Sequence, residues 1–455
     1  MRFGGGIAYT VLNPAVAIVV LIAGILICVL RRKMIVAPFL AAALLIPMDQ
    51  VVVIGSLHFQ MVRVLVLFGA ARMLTARVGS RQSIFSGGVN AIDKAVILWV
   101  IVTAVDTILL WRDSGALINQ LGTMFQIFGI YFLLRFAIRD EDDADFTIVV
   151  LACIASFVAV VMTIEQATGR NPYAMLGGFR ASAIGSLMQR DDRFRAMASF
   201  SHPILAGTFG ATLLPLFFAQ WSKTRKLRSV MVIGMVAAVV ITMCSNSSTP
   251  ILACAATIVG ICFWPLRARM RLMRWGMVIG LVTLHLAMKA PVWALIARVD
   301  VISGSSSYHR YFLVDQCIRH FGDWWLLGTT QNAQWGWDMW DLANQYVAIC
   351  ESSGLIPFGL FVATIVFGFK YTGRARIALK EKKRQQWYFW ALGVTLLAHV
   401  VAFFGISYFD QTMVSWYAFL AIISASAIPA MKHVERIPAR ATVPVFDGSA
   451  SAVPA

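Results

Sequence analysis

The chain alternates between long apolar runs and short polar connections. Most runs approach the roughly 20 residues that a helix needs to cross the hydrocarbon core of a membrane. Long runs with little alternation favour helices over the short, dyad-patterned strands of a membrane β-barrel. The pattern therefore predicts an all-α polytopic membrane protein with about 12–13 transmembrane helices.

The runs divide the chain into one membrane domain and a polar tail. Runs before Leu74 are short, and a re-entrant path for them would lower the count to about twelve. The membrane domain covers residues 1–431, and the composition of residues 432–455 predicts a disordered tail. The predicted runs have the approximate bounds 15–30, 34–48, 57–74, 95–111, 117–136, up to 164, 203–221, 230–244, 251–266, up to 296, 346–369, 387–404 and 413–430.

Composition excludes a soluble protein. The chain is 59% hydrophobic and 13% charged, whereas soluble proteins contain about 25% charged residues. The net charge of +17 does not indicate a nucleic-acid partner, because Lys and Arg collect in the short connections between spans. That distribution is typical of cytoplasmic loops under the positive-inside rule. The predicted surroundings are membrane lipids.

The basic clusters predict the orientation. They fall on one side if each run crosses once, and that side is the cytoplasm, together with the C-terminus. A smaller segment, 165–202, and a larger one, 297–345, then lie on the extracytoplasmic side. The clusters occupy residues 31–33, 72–81, 223–228, 267–274, 370–384 and 432–440.

The seven cysteines show no spacing that fits a metal site. Five lie in or beside apolar runs and are typical of small buried hydrophobes. Cys317 and Cys350 could both face an oxidising compartment, where the sequence favours free thiols over a disulfide.

Segment 165–202 is an exception to the charge rule. It carries several arginines, among them Arg193 and Arg195, on the translocated side. Arginine in place of lysine indicates bidentate recognition of phosphate. Contacts with lipid headgroups or with Asp191 and Asp192 are the alternative. Pro203 suits the first turn of a helix, whose amides would lie close to His202.

The polar stretch 308–355 holds five tryptophans between Trp324 and Trp340, interspersed with Gln, Asn and Asp. Stacking on sugar rings and anchoring at the membrane interface explain this cluster equally well. Within the stretch, the spacing of Asp315 and Arg319 predicts an ion pair on a helix that begins near Tyr308. Together, the two outer segments predict a site for sugar and diphosphate.

Four sequence features resemble the O-antigen ligase and O-antigen polymerase family of bacterial membrane glycosyltransferases. Together they cover about residues 195–365. The features are Arg195 with Ser-Phe-Ser-His-Pro up to Pro203, the turn Ser-Ser-Thr-Pro from Ser247 to Pro250, Arg310 followed by Trp325-Leu326-Leu327-Gly328, and Asn344 followed after nine residues by Gly354-Leu355-Ile356, with Glu351 inside that interval.

The resemblance implies a GT-C-like fold in the bacterial inner membrane and a polyprenyl-diphosphate-linked glycan as substrate. One departure favours one of the two branches of the family. Ligases have a histidine where this chain has Ala343, and their last motif position is here Pro357. Since the ligase histidine is held to assist the acceptor hydroxyl, its absence favours a polymerase of O-antigen or exopolysaccharide. A chain-length regulator and other polysaccharide-assembly proteins are implied partners.

The chemistry of the substrate suggests roles for individual residues. Negative charge grows on polyprenyl diphosphate as the glycosidic bond breaks, and fixed arginines stabilise it without a metal or another cofactor. The predicted catalytic arginines are Arg195 and Arg310, and the candidate bases for the acceptor hydroxyl are His309, Asp341 and Glu351. The predicted substrate-binding residues are Arg193, His202, Trp325, Trp337 and Asn344.

Three other functions remain open. An O-antigen ligase would transfer the glycan to a lipid or protein acceptor. A polysaccharide flippase or transporter would require ionisable residues at mid-membrane or repeated broken helices, and the sequence shows neither clearly. A non-catalytic subunit of an export assembly is the third alternative.

Overall fold

A computed structural model of the protein describes residues 9–55, 57–78, 85–177, 189–190, 193–223, 225–298, 307–379 and 381–435. Within these ranges most regular structure is helical, as the run lengths predict. The helices are α1 (Pro14–Val29), α2 (Val36–Leu45), α3 (Met61–Val78), α4 (Ala91–Trp111), α5 (Ser114–Ala137), α6 (Glu141–Thr168), α7 (Pro203–Lys223), α8 (Arg228–Cys244), α9 (Ser248–Cys262), α10 (Met270–Ala287), α11 (Ser307–Arg319), α12 (Gln345–Ser353), α13 (Leu355–Ala378), α14 (Lys383–Ala402) and α15 (Gln411–Glu435).

Shorter elements occupy several connections. Two antiparallel hairpins are formed by β1 (Val51–Ile54) with β2 (Leu57–Gln60), and by β3 (Gln189–Arg190) with β4 (Arg193–Phe194). A four-residue helical turn, Phe321–Trp324, follows α11. Short 3-10 helices cover Arg32–Ile35, Pro172–Leu176, Arg225–Leu227, Trp264–Arg269, Val292–Arg298 and Asn332–Trp335.

The predicted all-α, multi-pass membrane architecture is confirmed at this level. Among the described residues, 7 helices are long and apolar enough to cross a membrane, and one bent pair raises this to 8. The count of about 12–13 spans stays a prediction, because α1, α2 and α9 contain only 16, 10 and 15 residues. The predicted tail from residue 432 overlaps α15, which continues to Glu435, and residues 436–455 lie outside the described ranges.

Two predicted runs are broken. The run 346–369 is divided between α12 and α13 at Gly354, whose φ of +89° favours glycine. The run 251–266 ends early, and Ser248–Cys262 is bent by 74° from Trp264–Ala287. Hydropathy does not show the second break, because Cys262, Phe263 and Trp264 are apolar, whereas the polar residues Glu351, Ser352 and Ser353 precede the first.

The helices α7 and α15 form the centre of the bundle, and 83% of the spanning window of each is buried. Small residues bring α7 close to its neighbours. A Cβ on Gly210 would lie 2.7 Å from the carbonyl oxygen of Ala238 on α8, and one on Gly207 would lie 2.3 Å from Ser245 Oγ. The second contact fixes the start of α7 against the turn between α8 and α9.

One end of the bundle gathers opposite charges. Arg32 Nη1 lies 2.6 Å from Asp143 Oδ2, and Lys223 Nζ lies 2.7 Å from both Glu141 Oε1 and Asp145 Oδ2. Two basic clusters that the sequence predicts on the same side, 31–33 and 223–228, therefore meet at the first turn of α6. The polar segments of the candidate site lie near the opposite ends of α6 and α7.

Candidate functional site

The first part of the candidate site is the Arg195 region, defined as residues 193–203 with Glu165 and Ser247. Arg195 is buried, and its Nη2 donates a hydrogen bond to Ser247 Oγ at 2.9 Å. The backbone N–H of Ala196 donates to the carbonyl oxygen of Cys244 at 3.0 Å. Arg195 is thereby fixed against the turn between α8 and α9, where the Ser-Ser-Thr-Pro motif begins. The side chain of Arg193, in β4, lies outside the described residues.

Glu165 holds the bend of this region from the last turn of α6. Its Oε2 accepts hydrogen bonds from Met197 N at 3.0 Å and Ala198 N at 2.8 Å. Ala198 has a φ of +49°, a conformation that costs energy for a residue with a Cβ. The buried carboxylate of Glu165 offsets this cost, so the segment leading into α7 has one fixed path.

His202 caps the helix that follows it. Its Nδ1 accepts a hydrogen bond from Ile204 N at 3.1 Å, and Pro203 begins α7. Both the predicted helix start and the proximity of His202 to the helix amides are confirmed. This geometry supports a structural role, while contact between His202 and substrate stays a prediction.

The connecting loop, residues 403–410 between α14 and α15, contacts the Arg195 region. Ser201 Oγ donates to Asp410 Oδ2, and Gln411 Nε2 at the start of α15 donates to Ser199 O at 2.8 Å. Thr249 Oγ1 on α9 donates to Gly405 O at 3.3 Å.

The same loop contacts the start of α12. Gln345 N donates to Phe403 O at 2.8 Å, and the Gln345 side-chain oxygen accepts from Tyr408 N at 2.5 Å. Asn344 Nδ2 donates to Phe404 O at 3.3 Å, while Asn344 Oδ1 accepts from the first amides of α12. Asn344 is thus a buried N-cap, and its predicted contact with substrate is untested. The connecting loop joins the two predicted outer segments.

The second part of the candidate site is the Arg310 region, defined as residues 307–354. Its first helix, α11, begins at Ser307 and buries the side chains of His309 and Arg310. The predicted ion pair on this helix is confirmed, with Arg319 Nε 2.7 Å from Asp315 Oδ2. Arg319 is mostly exposed, so the two arginines of α11 occupy opposite environments.

His309 and Arg310 lie close to Asp341. The ring Nε2 of His309 is 3.2 Å from the carbonyl oxygen of Asp341. Burial raises the pKa of the Asp341 carboxyl, as does Asp338, while the charges of His309 and Arg310 lower it. The structure therefore brings together three of the five predicted catalytic residues. Trp337 packs edge-on against His309 with ring centroids 6.0 Å apart.

The same cluster meets the spacing of a metal site. Ligand atoms of His309, Asp338 and Asp341 all lie within 4.8 Å of one another. Imidazole and carboxylate suit several divalent ions. The sequence predicts a site without a metal, and Arg310 is close enough to act on the charge of Asp341. A cation and a guanidinium would thus compete to neutralise the same carboxyl group.

Glu351 lies in the last turn of α12 and is 2% exposed. Its Oε2 accepts a hydrogen bond from Asn332 Nδ2 at 2.9 Å, while its Oε1 has no hydrogen-bond partner among the described residues. Burial raises the pKa of Glu351 to about 7, and the Asn332 bond opposes that rise. A carboxyl group with such a pKa can both accept and release a proton near neutral pH.

Asn332 connects Glu351 to the loop that contains Asp341. Its Nδ2 also donates to Met339 O at 3.1 Å. Nearby, Thr329 N donates to Glu351 O at 2.7 Å and Leu355 N donates to Trp325 O at 2.9 Å. Glu351 is therefore held by the polar loop on one side and by α12 on the other.

Two glycines allow this loop to approach α12. A Cβ on Gly328 would lie 2.5 Å from Glu351 O, and one on Gly354 would lie 2.5 Å from Leu326 O. Both have a φ of +89°. Glycine is required at both positions by conformation and by space.

The five tryptophans separate into two groups. Trp324 is buried and donates from Nε1 to Cys317 O at 2.6 Å, while Trp335 stacks on His320 with ring centroids 4.6 Å apart. Trp325, Trp337 and Trp340 are exposed, and Trp337 is 77% exposed. Only the second group is available to a sugar ring or to the membrane interface.

Backbone strain concentrates in these segments. Among the described non-glycine residues, those with positive φ are Arg112, Ala198, Asn246, Asp338 and Asp410. All but Arg112 lie in or beside the two regions and the connecting loop. Such conformations persist where the surroundings hold them, and they cluster at functional sites.

Some organising residues have little mark in the sequence. Glu165 lies at the end of an apolar run, and Asn332 is one amide among several. The connecting loop shows only a weak signal, the polar residues Ser407 and Asp410 between two apolar runs. An acidic residue near the end of a span is the signal that could have identified Glu165.

Comparison with known proteins adds no family. No protein-family model matches the chain, and no curated protein matches it significantly. The chemistry of the site therefore rests on its residues: buried arginines, a buried carboxyl group that titrates near neutrality, and exposed aromatic rings beside them.

Proposed function

We propose that the protein is a membrane glycosyltransferase that joins oligosaccharide repeat units carried on polyprenyl diphosphate, at the outer face of the bacterial cytoplasmic membrane. The observation that carries this proposal is the Arg310 region, in which a buried arginine and a buried carboxyl group with a pKa of about 7 lie in one small module with exposed tryptophans.

The proposed reaction uses each of these groups. An acceptor hydroxyl oxygen attacks the anomeric carbon of the donor sugar, a new glycosidic bond forms, and the bond to the diphosphate oxygen breaks. Arg310 stabilises the charge on the departing polyprenyl diphosphate. Glu351 accepts the hydroxyl proton through Oε1, which has no other hydrogen-bond partner among the described residues.

Further residues would hold the substrates. Trp325, Trp337 and Trp340 have exposed rings on which sugars can stack. Arg195 offers a second cation, and Ser247 holds its guanidinium in position. Asp341 and His309, packed beside Arg310, would orient the guanidinium toward the diphosphate.

Polymerisation is proposed over ligation because position 343 is alanine. Ala343 is buried, and its N–H donates to Asp341 O at 2.9 Å. Its methyl group cannot take part in proton transfer. In this proposal Glu351 takes the role of the missing histidine, because it offers a titrating group eight positions further along the same motif.

A reconstituted assay tests the proposal. The purified protein in lipid vesicles, given a polyprenyl-diphosphate-linked repeat unit, should yield a ladder of longer glycans and free polyprenyl diphosphate. Arg319→Gln, on the exposed side of α11, is the matched control and should behave like the native protein. A failure to lengthen single repeats would contradict the proposal.

A deletion strain separates the alternatives. Single lipid-linked repeats that accumulate outside the membrane indicate a polymerase. Long chains that stay on the lipid carrier indicate a ligase, and repeats trapped on the cytoplasmic side indicate a flippase. Normal polymer in the deletion strain would assign the protein to none of these steps.

A further inference from the structure

Two of the seven cysteines meet in the small apolar core of the Arg310 region. Cys317 on α11 and Cys350 on α12 are both buried and share this core with Trp324 and Val347. The Cys350 thiol is close enough to raise the pKa of the Cys317 thiol. We propose that Cys317 and Cys350 form a disulfide that ties α11 to α12. The proposal rests on the extracytoplasmic placement of this region in the proposed function, because disulfides persist in oxidising compartments.

The geometry requires little change. A disulfide has an S–S distance of about 2.05 Å and side chains that point toward each other. Two buried cysteines in one small core, on neighbouring helices, meet the second condition and need only a small approach for the first. The structure has both cysteines as free thiols, which is the reduced form of the proposed pair.

The oxidant is a protein disulfide of the extracytoplasmic compartment. One cysteine thiolate attacks a sulfur of that disulfide and forms a mixed disulfide, and the second thiolate then attacks the first cysteine and releases the donor. Cys317 and Cys350 together lose two protons and two electrons, and the donor disulfide becomes two thiols.

Burial decides when the bond can form. The hydrogen bond with Cys350, followed by burial, raises the pKa of the Cys317 thiol, so the reactive thiolate is scarce in the folded protein. The exchange therefore takes place before α11 and α12 close on each other. Once formed, the disulfide is shielded from reductants by Trp324 and Val347.

The bond would act on the candidate site through its position. Cys350 immediately precedes Glu351, and α11 also bears His309 and Arg310. The loop closed by residues 317 and 350 contains the exposed tryptophans and Asp341. The disulfide would therefore hold the proposed base and the proposed arginine on one cross-linked unit.

Differential thiol labelling tests the proposal. Membranes are denatured in the presence of N-ethylmaleimide to block free thiols, then reduced, and the newly released thiols are labelled with polyethylene-glycol maleimide. Two added labels per chain are expected, and none in Cys317→Ser, Cys350→Ser or the double variant. The double variant Cys28→Ser with Cys153→Ser is the matched control and should keep both labels, since these cysteines are exposed and lie on other helices.

Absence of label in the native protein would overturn the proposal. Label on the double variant that carries both Cys317→Ser and Cys350→Ser would overturn it too. Treatment of the folded protein with a phosphine reductant, without denaturant, should leave the disulfide intact, and rapid reduction would contradict the shielding. Glycan elongation is measured on the same membranes. A protein that has the disulfide but does not elongate glycans would contradict the proposed function and leave the disulfide standing. A protein that elongates glycans with fully reduced cysteines would contradict the disulfide and leave the proposed function standing.

Discussion

The Arg195 region and the Arg310 region each hold a buried arginine and a buried glutamate, but they are built in different ways. Ala196, Met197, Ala198 and Phe200 of the Arg195 region belong to the large core of the helix bundle. The Arg310 region adds a separate small core between α11 and α12. The first region is therefore part of the bundle, whereas the second is a module with its own core that joins the bundle through Ile349 of α12.

The two glutamates show the same difference. Glu165 uses its carboxylate to hold two backbone amides, which is a structural task. Glu351 has one oxygen held by Asn332 and another with no hydrogen-bond partner among the described residues. A buried carboxyl group that lacks full compensation costs folding energy, and such a cost is expected at a functional site.

The largest expected effect is a loss of elongation that occurs on substitution of Glu351 but not of Glu165. Glu351→Gln mimics the protonated carboxyl group, so it should preserve the fold and lower glycan elongation by about 100-fold or more. Glu165→Gln should instead destabilise the protein by about 1–3 kcal/mol, because it weakens charge-assisted hydrogen bonds. Thermal unfolding in detergent and elongation in vesicles measure the two effects. A fully active Glu351→Gln protein would remove Glu351 from the mechanism.

The pH dependence of elongation also tests whether Glu351 acts as the base. With a pKa raised to about 7, Glu351 can accept a proton only above that pH, so the rate should rise through about pH 7 and then level off. Ionisation of Glu351 raises the elongation rate but lowers the stability of the folded protein. The folded protein binds this proton more tightly than the unfolded chain, so the stabilisation is full below pH 4.5 and is lost as the pH rises through about 7.

The two arginines of α11 provide the next comparison. Arg310→Gln removes a buried cation from the proposed site and should lower elongation by about 100-fold. Arg319→Gln removes an exposed partner of Asp315 and should change neither elongation nor stability noticeably, because exposed ion pairs contribute about 0–1 kcal/mol. Equal losses in both variants would indicate that α11 acts only as a structural element.

A smaller effect is expected where the module joins the bundle. Gly354→Ala would place a Cβ 2.5 Å from Leu326 O at a φ of +89°, at a cost of about 1–3 kcal/mol. Hydrogen exchange should increase in residues 307–354 but not in α7 or α15. Gly359→Ala is the matched control, since a Cβ there meets nothing within 4 Å. Loosening of the whole bundle would contradict the separation of the two cores.

The smallest effect is expected from removal of divalent cations. Because Arg310 already acts on the charge of Asp341, elongation should continue at the same rate in the presence of a chelator. A loss that Mn²⁺ restores would instead assign His309, Asp338 and Asp341 to a metal ion. In that case His309→Gln should abolish the restoration.

Run length and charge asymmetry predict the helical membrane architecture, because each helix must satisfy its own backbone within lipid. Local spacing also predicts the Asp315–Arg319 pair and the start of α7 at Pro203. The approach of Cys317 to Cys350 depends on long-range packing, which leaves no local pattern in the sequence. For the same reason Glu165 is inconspicuous in the sequence, although it determines the path of the segment that holds Arg195.

The connecting loop meets the Arg310 region mainly through main-chain atoms of the loop and the Arg195 region through the side chain of Asp410. Gln345, Asn344 and Thr249 bind the carbonyl oxygens of its first residues, and Tyr408 contributes its backbone N–H. The exposed side chains of Phe404 and Phe409 can therefore vary while these contacts persist. The length of the loop is constrained, because one inserted or deleted residue would shift its contacts with one region relative to its contacts with the other. The number of residues between α14 and α15 therefore helps to set the distance between the segments that hold Arg195 and Arg310.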